Sequence, residues 1–350
     1  MASSDRARKL IAAWCTLLIM ITSAYAAAPH PAAAPPAAAT TAGPDAAQLI
    51  ATIPLPHVHG RIDHLAVDIA GQRLFVAAVG NDTLEVVDLL TGRRNHTLTG
   101  LHAPQGVLFV PAQRKLYVTN GGNGRCSVFD ADTLQPSGVI DLAADADNIR
   151  YDRRRGTLYI GSASGTISAI DAATQTPRGQ VPLAGHPESF QLERNGPRIF
   201  VNIPQSRQIA VLDRVRHAVL AIWPVVDAAA NFPMALAEKR RRLFIGSRRP
   251  ARLDAYDIES GTRVARVDAV GDMDDLFFDA ARQRLYAIGG EGFVDVFSVD
   301  AGDRYTRIAR LPTRPRARTG LWVPAWGRLY VALPQTGDQD AEIRVYAMPP

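Results

Sequence analysis

A four-residue phrase recurs seven times down this 350-residue chain: a basic or polar residue, an aliphatic anchor, an aromatic and a second aliphatic. Its instances are Arg73-Leu74-Phe75-Val76, Lys115-Leu116-Tyr117-Val118, Thr157-Leu158-Tyr159-Ile160, Arg198-Ile199-Phe200-Val201, Arg242-Leu243-Phe244-Ile245, Arg284-Leu285-Tyr286-Ala287 and Arg328-Leu329-Tyr330-Val331. The anchors from Leu74 to Leu329 are separated by 42, 42, 41, 44, 42 and 44 residues. A period in the low forties, built from short β-type runs, specifies a propeller with one four-stranded blade per repeat. The expected fold is all-β: a seven-bladed β-propeller of four-stranded antiparallel blades.

Turn chemistry divides each repeat into four strands. In the first, the expected strands are His64–Val67, Arg73–Ala77, Thr83–Asp88 and His96–Thr99, with breaks at Ala70-Gly71, Gly80-Asn81-Asp82 and Thr91-Gly92. The blades fall near 61–101, 103–142, 145–183, 187–225, 231–269, 273–311 and 317–348. Asp88, Asp130, Asp171, Asp213 and Asp257 each close a third strand, where a carboxylate can cap the following turn by accepting from its backbone amides. The seventh repeat lacks a fourth strand. Residues 48–55, Gln-Leu-Ile-Ala-Thr-Ile-Pro-Leu, resemble the fourth strands of other repeats, so the N-terminal segment is expected to complete blade seven and close the ring. Closure removes the sheet edges that invite aggregation.

The chain begins with Arg6, Arg8 and Lys9, an apolar run from Leu10 to Ile21, and Ala24-Tyr25-Ala26. That order predicts a signal peptide over 1–26, shorter in its apolar part than a membrane span. Residues 27–47 are Ala-, Pro- and Thr-rich, the composition of a flexible tether. The protein is therefore expected to be periplasmic or secreted, with no transmembrane segment once the leader is removed. Losing three cations and Asp5 takes the formal net charge from +5 to +3, too little for a nucleic-acid footprint. The remaining Cys126 has no partner for a bridge and reads as a buried apolar residue. The basic runs Arg153–Arg155 and Lys239–Arg242 read as solvated turns on the face opposite the first-strand starts.

Lys115-Leu116-Tyr117-Val118-Thr119-Asn120 contains the string that gives the YVTN-repeat propellers their name, and the mature chain resembles that YncE-like family at the level of the repeat. The resemblance implies an exported seven-bladed propeller. It also implies a shape related to the lactonase-type propellers, which can hold a divalent cation in the central channel.

In a repeat protein, residues that break the repeat carry the information about function. Just before each innermost strand stand Asp63-His64, Gln105-Gly106, Asp147-Asn148, Glu188-Ser189, Phe232-Pro233, Asp274-Asp275 and Arg318-Thr319. The connections at this end can reach the channel axis. Expected ligand-binding residues are Asp63, His64, Gln105, His186, Glu188 and Arg318. Gly-rich hairpins at 121–125, 161–165 and 289–292 open on the same face.

Two functions fit this face. One is a binding or interaction module for a periplasmic protein or a small molecule, expected to be monomeric. The other is a metal-assisted lactone or ester hydrolase. In it Asp147, Asn148, Glu188, Asp274 and Asp275 offer hard oxygen ligands to Ca²⁺ or Mg²⁺, and His64 or His186 shuttles the proton. A redox-partner role has no haem motif and no repeated tryptophan behind it. Gly161–Gly165 is no nucleophile elbow, since Ala163 stands at its centre, and 145–148 lacks the glycine and glutamate of an EF-hand loop.

Overall fold

Seven four-stranded antiparallel sheets make up the computed structural model, which describes residues 47–142 and 145–349. The expected leader lies outside the described residues, as does the expected tether except for Ala47. Strands are lettered a to d outward within each blade. The a strands are Leu65–Asp68, Pro104–Val110, Ala146–Asp152, Phe190–Leu192, Ala229–Ala237, Met273–Asp279 and Thr319–Val323. Each touches the a strand of the next blade, and the seventh touches the first, so the seven surround one axis. Among the described residues, no helix is long and apolar enough to cross a membrane.

The recurring phrase forms the b strands, and its burial explains why it recurs. The anchors Leu74, Leu116, Leu158, Ile199, Leu243, Leu285 and Leu329 are all fully buried, and the aromatic that follows each is buried too. Alternation along a strand sends anchor and aromatic to opposite faces of the blade. Each blade thereby packs on both neighbours. Leu116 joins the cluster it shares with Phe75 and Phe109, whereas Tyr117 joins Ile149 and Leu158. Burying one such side chain contributes roughly 1.5–3 kcal/mol.

The five third-strand aspartates cap their turns. Asp88 accepts from the amides of Leu90 and Thr91, Asp130 from Asp132 and Thr133, and Asp171 from Ala173 and Thr174. Asp213 and Asp257 repeat the pattern with Val215 and Arg216, and with Glu259 and Ser260.

Blade seven is built from both ends of the chain. Gln48–Leu55 pairs antiparallel with Ala341–Ala347, from Gln48 opposite Ala347 to Leu55 opposite Ala341. Ile53 and Leu55 are buried in the cluster that joins blades seven and one. The observed strand limits differ slightly from the sequence reading. In blade one the a strand begins at Leu65, which leaves His64 outside the ladder, and the d strand runs Arg93–Leu98. Cys126 is a free, fully buried thiol, and burial pushes it up to about 12, away from nucleophile chemistry.

Candidate functional site

The residues that break the repeat also break the sheet. In blades two, three, five and six the a strand slips register against its b strand: between Pro104 and Val107, Ala146 and Ile149, Asn231 and Met234, and Met273 and Asp275. Gln105, Asp147, Asn148, Phe232 and Asp274 occupy these irregularities. A bulge frees a residue from the ladder and re-aims its side chain, here toward the axis.

Thr119 of the Tyr-Val-Thr-Asn string stabilises one of them. Its Oγ1 accepts from the Gly106 amide at 2.8 Å and bonds the Asp147 carbonyl of the next blade. A Cβ at position 106 would lie 2.4 Å from that carbonyl, so only glycine permits the approach. Asn120 accepts from the His102 amide at 3.0 Å.

The gathered side chains enclose a cavity of about 20 Å³ lined by Arg61, Asp63, His64, Asp147, Asn148, Glu188, Ser189, Phe232 and Asp274. That is room for one water-sized group. Asp63 sits on its floor, paired with Arg61 and, at 2.9 Å, with Nδ1 of His64. Arg61 also donates to Gln105 at 3.0 Å, and Gln105 donates to Asp145 at 2.8 Å. Across the axis Asp274 is held between Arg248 at 2.5 Å and Arg318 at 2.9 Å. Asp275 accepts from the Gly320 amide at 2.8 Å. His186 approaches Asp147 at 3.8 Å and Glu188 at 4.0 Å.

Not every group is paired. The Oδ1 atoms of Asp147 and Asn148 are buried without a hydrogen-bond partner, and so is Nε2 of His186. Both residues are at least nine-tenths buried, at 5% and 3% exposure. A buried acceptor left without a donor costs about 1–3 kcal/mol. At the mouth, two side-chain acceptors and one ring nitrogen therefore remain free to bond.

The electrostatics divide along the same line. Burial pushes the Asp63 carboxyl up, but the neighbouring imidazole and guanidinium outweigh it and bring it to about 2. Burial likewise disfavours charge on His64, yet Asp63 holds its imidazole protonated up to about 10. At Asp147 and Glu188 burial outweighs the cations nearby. Burial, with Asp63 nearby, pushes Asp147 up to about 7; burial and Asp147 push Glu188 up to about 8. Asp275 rises to about 6 through burial, and burial raises Asp274 despite its two guanidiniums.

Every residue singled out from the sequence lies in or beside this cluster, but the roles differ. Asp274 is committed to Arg248 and Arg318, and Asp275 to a backbone amide. The groups with free oxygens are Asp147, Asn148 and Glu188. Ligand atoms of Asp63, His64 and Asp147 all fall within 4.8 Å of one another. Sequence reading missed Arg61 and Arg248. Arg61 lies two residues before the expected position, and Arg248 is the last residue but one of the b strand Arg242–Arg249. Arg248 also stacks 3.8 Å above the Phe232 ring, the one apolar member of the ring of positions. For Arg248 the signal is a basic end to a b strand whose counterparts end in Ala78, Asn120, Ser162, Ile203, Gly289 and Leu333.

No family model and no curated protein sequence matches the chain. Solved structures do match. A propeller chain of the WD40 type, from a crystal structure of the mitotic checkpoint complex, superposes with a TM-score of 0.72 at 14% identity. The match covers 90% of this chain and 96% of that one. As many as 1776 solved chains match, so this similarity establishes the propeller fold and leaves the activity to be read from the site.

Proposed function

We propose that this protein is an exported propeller of the YVTN-repeat type that binds a protein partner or small ligand at the polar mouth of its channel. The carrying observation is the pair of buried, unpartnered acceptors on Asp147 and Asn148 beside the Asp63–His64 pair. A scaffold that only needed stability would bond or remove them. Export rests on the leader composition of residues 1–26, and the family reading on the Tyr-Val-Thr-Asn string. The propeller in the mitotic checkpoint complex is itself part of a multi-protein assembly, which agrees with an interaction role. The test is recovery of a bound component from envelope extract by immobilised mature protein. A component captured by wild type and by an Arg304→Ala rim variant, but lost with Glu188→Ala or Arg318→Ala, supports the reading. Equal capture by all four overturns it.

A second reading is favoured by the proximity of Asp63, His64 and Asp147. A divalent cation at the mouth would be held by Asp147, Asn148 and Glu188, with His64 at its edge. A bound cation would supply carbonyl polarisation for lactone or ester hydrolysis. His186, beside Asp147 and Glu188, would carry the proton, and Arg318 would orient an anionic substrate. Calorimetry of Ca²⁺ and Mg²⁺ into metal-stripped protein decides: heat lost in Asp147→Ala supports this reading, and no heat removes it.

A further inference from the structure

The two basic runs of the sequence occupy equivalent turns, between a and b strands, yet the structure treats them differently. In Lys239–Arg242 the guanidiniums are spoken for. Arg240 donates to Gln283 at 2.6 Å and to the Asp300 carbonyl, Arg242 pairs with Asp257 at 2.9 Å and Asp303 at 2.7 Å, and Arg241 lies 3.9 Å from Asp257. In Arg153–Arg155, Arg153 has no carboxylate within ion-pair distance among the described residues. The Arg154 guanidinium donates only to the neutral Asn195 side chain, at 2.9 Å, while its backbone amide donates to Asp152 at 3.0 Å. Arg194, on the matching turn of blade four, is likewise exposed; its backbone amide donates to the Glu238 carboxylate, and its guanidinium has no ion pair among the described residues.

These arginines line one groove between blades three and four, on the end of the propeller opposite the mouth. One part, of about 540 Å³, is lined by Arg154, Arg155, Asn195, Gly196, Pro197 and Arg214. A second, of about 530 Å³, adds Arg153 and Arg194. The floor is fixed. Arg214 is buried, donates to the Glu193 and Gly196 carbonyls at 2.7 and 2.6 Å, and lies 3.3 Å from Asp152, which also pairs with Arg155 at 3.1 Å. The groove's other carboxylate, Glu193, is taken by Arg198 at 2.6 Å. Among the described residues three exposed guanidiniums, those of Arg153, Arg154 and Arg194, therefore stand without an ion pair above a rigid base, with the Glu238 and Asp152 carboxylates bonded to the Arg194 and Arg154 main-chain amides.

We propose that this groove binds a phosphoryl group, with Arg153, Arg154 and Arg194 as its ligands and the Asp152–Arg214 pair holding their turns in place. Guanidinium forks match phosphate oxygens bidentately, and several together suit a dianion better than a single carboxylate. The phosphoryl group can come from a soluble phosphoester or from a phospholipid headgroup, since both present anionic non-bridging phosphoryl oxygens to the guanidiniums.

The test titrates pyrophosphate into the mature protein at low salt and, in parallel, sediments the protein with phosphatidylglycerol or phosphatidylcholine vesicles. Arg153→Ala/Arg194→Ala is the site variant and Arg304→Ala the control; all three positions are exposed, and unchanged melting confirms folding. Pyrophosphate binding weakened at least about tenfold in the site variant alone, and falling with added salt, supports the proposal with a soluble source. Sedimentation with phosphatidylglycerol only, lost in the site variant, supports it with a headgroup source. No binding to either probe, or equal binding by the site variant and the control, overturns it.

Discussion

Asp171 and Asp147 belong to the same blade and have opposite surroundings. Asp171, at the rim, accepts from the Ala173 and Thr174 amides and pairs with Arg178; together these bring its carboxyl down to about 2. Asp147, at the mouth, is buried, has one oxygen without a partner, and is pushed up to about 7. The rim residue recurs in five of the seven blades because the same turn follows the third strand in each of the five. At the mouth position the residue varies from blade to blade, a carboxylate in four and Gln105, Phe232 or Arg318 in the others, and the burial of Asp147 works against its charge. In a repeat scaffold, carboxylates that serve the fold are bonded, and carboxylates kept for binding are left with spare capacity.

Three perturbations test the scaffold side of that contrast, and the largest concerns ring closure. Deleting 48–55 removes the outer strand of blade seven, exposes its edge and uncovers the Ile53 and Leu55 pockets, worth roughly 1.5–3 kcal/mol each before the lost ladder is counted. The expected result is a large drop in melting temperature or failure to fold, while deletion of 27–44 leaves melting unchanged. Equal melting of the two truncations would refute the latch.

Next is an anchor. Leu285→Ala should destabilise by about 2–5 kcal/mol in chemical denaturation, because the side chain is fully buried between blades. A cost near zero would mean that the recurring phrase does not build the core.

The smallest scaffold effect is at the rim. Asp171 has a depressed folded pKa, so its contribution is present above the ordinary carboxylate value and is lost as pH falls toward 2. Asp171→Asn should therefore melt below wild type at pH 7, and the gap should close between about pH 4 and pH 2. A gap independent of pH would assign the loss to something other than the ionised cap.

The fold was legible because its signals are local and repeated. An aromatic beside an aliphatic every forty-odd residues, and aspartate before a polar turn, each report a need that all blades share. The mouth was legible as a place: Asp63, Asp147, Glu188 and Asp274 break the pattern where the a strands begin. Arg318 was legible with them, but the partners Arg61 and Arg248 were not. Arg248 and Arg318 flank blade six from blades five and seven, and only the packing of those consecutive blades brings both onto one carboxylate, Asp274. Nor does the sequence distinguish the two basic runs, since compensation of Arg242 by Asp303 spans 61 residues while Arg153 meets no such acid among the described residues.

The most direct test of the account is the melting temperature of Asp147→Asn beside Asp171→Asn at neutral pH. The same atom change is made at both sites, and the Thr119 bond to the residue-147 main chain is left intact. If the mouth keeps its charge for binding, Asp147→Asn melts at or above wild type while Asp171→Asn melts below it. If Asp147→Asn falls as far as Asp171→Asn, the mouth carboxylate is structural and the binding account is wrong.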